Sequence, residues 1–164
     1  MSGGNLHVFR LWVAVTAAST LVCGIMMLAA PALAGPLVTY QNPALSRTLS
    51  MAESQHEIIM ILLRKKEYAQ AAEEADKIFQ MDWPANEEPR LLKELLGLSN
   101  QFVEHSQHSL GFQLLDRNAR AFKTIKSLVA IWKEKGYVLK KMGQDDKALE
   151  CFRKAQQLEK SPPE

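Results

Sequence analysis

From Ser50 onward the apolar residues recur at intervals of three and four, the spacing that puts them on one face of an α-helix. Ile58, Ile59, Leu62 and Leu63 form the first such stripe, preceded by Ser50 and Glu53 in a capping-box arrangement and followed by Arg64, Lys65 and Lys66, where the helix dipole favours cations. An Ala- and Glu-rich helix is expected from about Tyr68 to Met81, ending before Trp83-Pro84, and the short break at Lys66-Glu67 makes the two an antiparallel hairpin. A third helix is expected over 87–107, with Pro89 in its first turn and Leu91, Leu92, Leu95, Leu96 and Phe102 on its apolar face. The stretch 108–118 is apolar enough for a short buried helix, although Gly111 weakens it. From Asp116 the periodicity of Phe122, Ile125, Leu128, Val129 and Trp132 reads as one helix running to Met142. Gly143 then turns the chain, and Asp145 is placed to cap a last helix that ends near Lys160, ahead of Pro162-Pro163. No segment alternates as a strand would. The expected fold is all-α: five to six helices in antiparallel hairpins.

The amino end follows another pattern. Leu11 to Ala30 is uncharged and largely apolar, Arg10 is the one cation before it, and Pro31-Ala32-Leu33-Ala34-Gly35 follows. Pro31 breaks the helix, and Ala32 and Ala34 supply the small residues of a signal-peptidase site, so residues 1–34 are expected to be a cleaved secretory signal. The alternative is an uncleaved anchor, because a stretch of that length also spans a bilayer. Either reading places the chain in the periplasm or another extracytoplasmic space, or anchored to the inner membrane. Val22 directly before Cys23 does not suit a lipid-attachment signal. Residues 35–49, with Pro36 and Pro43, read as a linker, and 50–162 as the folded domain.

The net charge is +2 over 164 residues, and removing 1–34 takes away only Arg10. That balance argues against nucleic acid or bulk anionic membrane as the partner, leaving the membrane only to an uncleaved amino-terminal segment. After cleavage Cys151 is alone, which excludes an intrachain disulfide and a Cys-x-x-Cys motif.

At the carboxyl end, Trp132, Gly136, Leu139, Gly143, Ala148, Phe152 and Ala155 stand at spacings that resemble a tetratricopeptide repeat. Small residues at Gly136 and Ala148 let two helices cross closely, Trp132 and Leu139 fill the space between them, and Phe152 and Ala155 are expected to pack toward a neighbouring hairpin. Lys135 departs from the pattern, which prefers Leu. A weaker copy covers about Ala52 to Pro84, with Ile59 where Gly is usual, and the residues between (85–128) read as a degenerate middle unit. The resemblance implies a short right-handed α-solenoid that binds a protein or peptide along its first helices. Lys133, Tyr137 and Lys140 would then form the binding groove, suited to an acidic partner, with Glu53, His56 and Met60 at corresponding places in the weaker copy. Leu149, Phe152 and Leu158 lie on the last helix with no further repeat to cover them, so they are expected to form an association surface, for example in a homodimer.

Chemistry is sparse. There is no Gly-rich phosphate loop, nucleophile elbow or His-Glu-x-x-His. His105 and His108 are three apart and would share a helix face, but no ligand set completes them, so neither a metal nor a cofactor is expected. The reading is a non-enzymatic scaffold or adaptor of the cell envelope. The alternative is a non-catalytic accessory subunit of an exported or membrane enzyme complex, set near a metal or cofactor.

Overall fold

A computed structural model describes residues 43–160. The chain divides into two units, Met1–Val38 and Thr39–Glu164, and the described residues all belong to the second. The expected signal or anchor, its flanking residues up to 42, and the Pro162-Pro163 stop lie outside the described residues. Among those described, no helix is long and apolar enough to cross a membrane.

Six α-helices make up the described residues: α1 (Pro43–Arg64), α2 (Tyr68–Phe79), α3 (Glu88–Glu104), α4 (His108–Asn118), α5 (Ile125–Lys141) and α6 (Asp145–Glu159). They pair as α1/α2, α3/α4 and α5/α6, with α4 packed on both α2 and α5. This is an all-α stack of three helical hairpins.

The hairpins share one turn geometry. Lys66, Ser106 and Gly143 each take a left-handed backbone, with φ of 63°, 62° and 71°. After each, the next N–H reaches back to a carbonyl in the last turn of the preceding helix: Glu67 to Leu62 at 2.9 Å, Gln107 to Phe102 at 2.8 Å, Gln144 to Leu139 at 3.0 Å. These are Schellman closures, which satisfy carbonyls that the helix end leaves free. Gly143 pays no steric cost for its conformation, whereas Lys66 and Ser106 carry a Cβ into it.

Aligning the hairpins on those turns puts their residues in a common register. Four residues before the turn stand Leu62, Phe102 and Leu139, and five after it Ala71, Gly111 and Ala148; all six are buried. Seven before it stand Ile59, Ser99 and Gly136, where the two helices of a hairpin cross. At α3/α4 the crossing is set by Gly111, whose missing Cβ would meet the Ser99 carbonyl at 3.0 Å, and the Ser99 hydroxyl donates to the Gly111 carbonyl at 3.3 Å. At α5/α6 a Cβ on Gly136 would stand 2.8 Å from the Phe152 ring. Phe152 therefore fills its own hairpin rather than packing toward a neighbouring one, which corrects the expectation from sequence. One apolar core runs from α1 to α5, and a smaller one of Leu139, Ala148 and Cys151 lies inside the last hairpin; Phe112 and Met142 touch both.

Several boundaries differ from the sequence reading. Helix α1 begins at Pro43, inside the expected linker, and Ser50 is an interior residue whose carbonyl accepts from the Ser54 hydroxyl at 3.0 Å. Proline is tolerated in a first turn because no N–H is needed there, and the half-buried Leu45, Thr48, Leu49 and Ala52 carry the helical spacing back past Ser50. The expected continuous helix from Asp116 to Met142 is broken by a single 3-10 turn (Ala119–Ala121), an extended Phe122 and the N-cap Thr124, whose hydroxyl accepts from the Ser127 N–H at 3.3 Å. Phe122 is buried, so it keeps the apolar periodicity while the backbone leaves the helix. Residue Gln144, not Asp145, is the N-cap of α6, and it makes no side-chain cap bond.

Three hydrogen bonds across hairpins fix the start of α5. One Glu88 oxygen accepts from the Thr124 hydroxyl at 2.7 Å and the Thr124 N–H at 3.1 Å, and the other from the Lys123 N–H at 3.3 Å. Burial disfavours the Glu88 carboxylate, but these bonds outweigh it and hold its pKa below the ordinary value.

Candidate functional site

A cleft of about 1040 Å³ opens between α1 and α3, the first helices of the first two hairpins. Its floor is apolar, with Leu49 and Ala52 from α1 and Trp83 from the segment joining α2 to α3. The Trp83 indole N–H donates to the Ile78 carbonyl at 2.8 Å, which clips the ring to the end of α2 and leaves it half-buried beside the cleft. One wall carries Glu53 and Glu57 from α1, and the other Arg90 and Lys93 from α3. Across the cleft, His56 Nδ1 and a Glu94 oxygen meet at 2.5 Å, so the two walls are tied at one point.

Gly97 sits in the same lining, and a Cβ built there meets nothing within 4 Å. The common register explains the gap: nine residues before each turn stand Glu57, Gly97 and Glu134, so the middle hairpin lacks a side chain at a position where the others carry a carboxylate. Burial raises the Glu134 pKa, partly offset by the positive charge of Lys141.

The residues expected to form the groove at the last hairpin are placed otherwise occupied. Lys133 Nζ donates to Glu159 of α6 at 2.6 Å, and the Tyr137 ring meets Phe152 of α6 edge-on, centroids 5.2 Å apart. Lys140 is exposed and stands in register with the buried Leu63 and Val103. Of the residues expected to form an association surface, Leu149 is exposed, whereas Phe152 and Leu158 are half-buried. Through the Tyr137–Phe152 ring contact, a residue expected in the groove meets one expected in the association surface. In the first hairpin Glu53 and His56 do line the cleft, and Met60 instead packs against the core.

Lys135, the departure from the repeat pattern, is only 4% exposed. Its ammonium donates to Asp116 of α4 at 2.6 Å and lies 4.6 Å from the Trp132 ring centroid and 5.8 Å from that of Phe112. The long stem fills the place that Leu98 fills in the second hairpin, and the charge emerges against a carboxylate and two aromatic faces. Cys151 is buried next to this group, and burial pushes its thiol pKa up. The buried thiol behaves as a small apolar side chain.

His105 and His108 do not share a helix. The Ser106 turn separates the end of α3 from the start of α4, and the His105 ring lies against Tyr68 with centroids 5.7 Å apart. Among the described residues no group of three or more His, Cys, Asp or Glu side chains is placed to hold a metal ion.

Stacked antiparallel hairpins with one turn register define a helical-repeat protein. Residues 129–162 match the tetratricopeptide repeat family, a span that takes in most of α5 and all of α6, so the chain carries a tetratricopeptide repeat there. Such repeats are protein–protein interaction modules and generally act as non-catalytic scaffolds. No curated protein and no solved structure matches the chain.

The sequence reading missed Trp83, Arg90, Lys93 and Gly97 as parts of one site. Trp83-Pro84 carried a signal as a helix stop but not as a cleft floor. An isolated glycine inside an otherwise strong helix is the one local signal that marks Gly97.

Proposed function

We propose that this chain is a non-enzymatic adaptor that binds an extended segment of a partner protein in the α1–α3 cleft. The observation that carries the reading is the cleft itself: an apolar floor at Trp83, in the segment joining α2 to α3, with charged walls and a vacant side-chain position at Gly97 on the first helices of two hairpins that stand in register with a tetratricopeptide repeat. First helices line the inner surface in the repeat architecture that the sequence resembles, which supports the same placement. The basic groove at Lys133, Tyr137 and Lys140 is the less favoured binding site, because Lys133 is engaged by Glu159 and Tyr137 by Phe152. The accessory-subunit reading near a metal or cofactor loses its support with His105 and His108 on separate helices.

The place of action we propose is the cell envelope, reached by export. This rests on the apolar run Leu11 to Ala30 and the Ala32/Ala34 site in the sequence. Fractionation of a bacterial host that expresses the full chain tests it: a processed chain in the periplasmic fraction supports export with cleavage, an unprocessed chain in the membrane fraction supports the anchor, and a full-length chain in the cytosol refutes both.

The cleft is tested with Gly97→Leu. No atom lies within 4 Å of a Cβ there and leucine is a better helix former than glycine, so the variant should keep the helical circular dichroism and a thermal midpoint at or above that of the parent. Loss of partner binding with folding intact supports the cleft, and unchanged binding refutes it. A specific observation also favours self-association: two large apolar side chains of the last hairpin, Tyr137 and Leu149, are 54% and 47% exposed. Sedimentation over a wide concentration range, with Tyr137→Ser and Leu149→Ser as a pair, separates a dimer through this patch from a monomer.

A further inference from the structure

The charges on the two walls of the α1–α3 cleft are not balanced, and this constrains what fits. Glu53 and Glu57 are one helical turn apart on the α1 wall and make no ion pair among the described residues. On the α3 wall, Arg90 is engaged by Glu87 at 3.0 Å, which leaves Lys93 as the cation without an ion-pair partner among the described residues. His56 and Glu94 satisfy each other. The cleft therefore presents two uncompensated carboxylates on one side and one uncompensated ammonium on the other.

The width is constrained as well. A helix with its side chains is about 10–12 Å across. The His56–Glu94 pair ties the two walls directly together at one point, which favours an extended chain over a helix of that diameter. Extended residues alternate in direction, so a segment lying between the helices turns successive side chains to opposite walls. Only the floor at Leu49, Ala52 and Trp83 offers apolar surface, and the vacancy at Gly97 adds depth beside it.

We infer that the occupant of this cleft is an extended protein segment that sets an aliphatic or aromatic side chain on Trp83 and a lysine or arginine against the Glu53–Glu57 wall. The inference rests on the cleft reading proposed above and reverses the acidic partner expected from the last hairpin's lysines.

The test uses fluorescence anisotropy with the full chain and four labelled seven-residue peptides. The first three share a central leucine and carry flanking lysines, glutamates or serines; the fourth keeps the lysines and replaces the leucine with serine. The lysine–leucine peptide is expected to bind about tenfold tighter than the glutamate peptide, the size of two partly exposed ion pairs gained. It is also expected to bind tighter than the fourth peptide. The Glu53→Gln/Glu57→Gln variant should erase the preference for lysine, and Lys93→Gln should leave it intact. Gly97→Leu should weaken every peptide that binds. If the glutamate peptide binds as well as the lysine peptide, or the double variant keeps the preference, the charge inference is overturned; the cleft reading then survives provided Gly97→Leu still blocks binding. If Gly97→Leu binds every peptide as the parent does, or the parent binds none of them, the cleft reading falls too.

Discussion

The ion pair between Lys135 and Asp116 joins the second hairpin to the third, and its two ends should respond unequally to mutation. Lys135 is buried, and its side chain is 5% exposed against 61% for Asp116. Asp116→Ala removes the anion and leaves an ammonium under the surface, facing the rings of Trp132 and Phe112. Breaking a wholly buried pair costs about 3–5 kcal/mol, and an exposed pair is worth at most about 1 kcal/mol. Because water reaches the Asp116 side and the cation–π contacts persist, the expected cost lies between, at about 2 kcal/mol. Lys135→Leu instead removes the buried charge, keeps most of the packed volume, and leaves a carboxylate that is already solvated. Its cost should stay within about 1 kcal/mol, and it can stabilise. Urea unfolding followed by circular dichroism reads both as midpoint shifts, with Asp116→Ala falling by about 1–2 M at ordinary m-values. In the background of Lys135→Leu, Asp116→Ala should cost almost nothing. The reasoning is refuted if Lys135→Leu is the more damaging change, or if Asp116→Ala costs the same with and without the lysine.

Four further predictions concern single positions. Gly136→Ala should destabilise by about 1–2 kcal/mol, because its Cβ would stand 2.8 Å from the Phe152 ring. Gly97→Ala should stabilise by up to about 1 kcal/mol, since a helix interior favours alanine and no neighbour interferes; thermal unfolding of the two variants checks both signs. Ser106→Gly and Lys66→Gly relieve a Cβ held at positive φ, and each should raise stability by about 0.5–1 kcal/mol, whereas a loss in denaturant unfolding would place those turns elsewhere. Glu88→Gln should be less stable than the parent at neutral pH. Since the folded pKa of Glu88 is depressed, its contribution is present above the unfolded value of about 4.3 and disappears as pH falls through the lower folded value, so the two stability curves should converge as the medium becomes more acidic than that folded value.

Much of this fold was legible in the sequence, and the failures have local causes. The hairpins at Lys66 and Gly143 announced themselves by basic helix ends and a glycine turn. The hairpin at Ser106 was fainter: a helix ending near Gln107 and a short buried helix after it were expected, but no glycine or basic run marks the turn, although the backbone there is the same. The break at 119–124 was hidden because Phe122 is buried in step with Ile125 and Val129 while its own φ and ψ are extended. What closes that break is Glu88, a residue 36 positions away from Thr124. The cleft was less legible still. Glu53 and His56, singled out in the sequence, do line the cleft, but the other wall belongs to a hairpin whose register became visible only once the turns were aligned. The pairing of Lys133 was hidden for a similar reason: its partner Glu159 sits at the far end of α6.

The central claim is that three hairpins stand in one register, set by left-handed turns at Lys66, Ser106 and Gly143 and by a break before α5. Backbone chemical shifts and scalar couplings from nuclear magnetic resonance measure this directly. The account predicts positive φ at those three residues, helical shifts over the six helices, and extended shifts at Phe122 and Thr124. Unbroken helical shifts from Asp116 through Met142, or a negative φ at Ser106, would contradict it and describe an ordinary helical bundle instead.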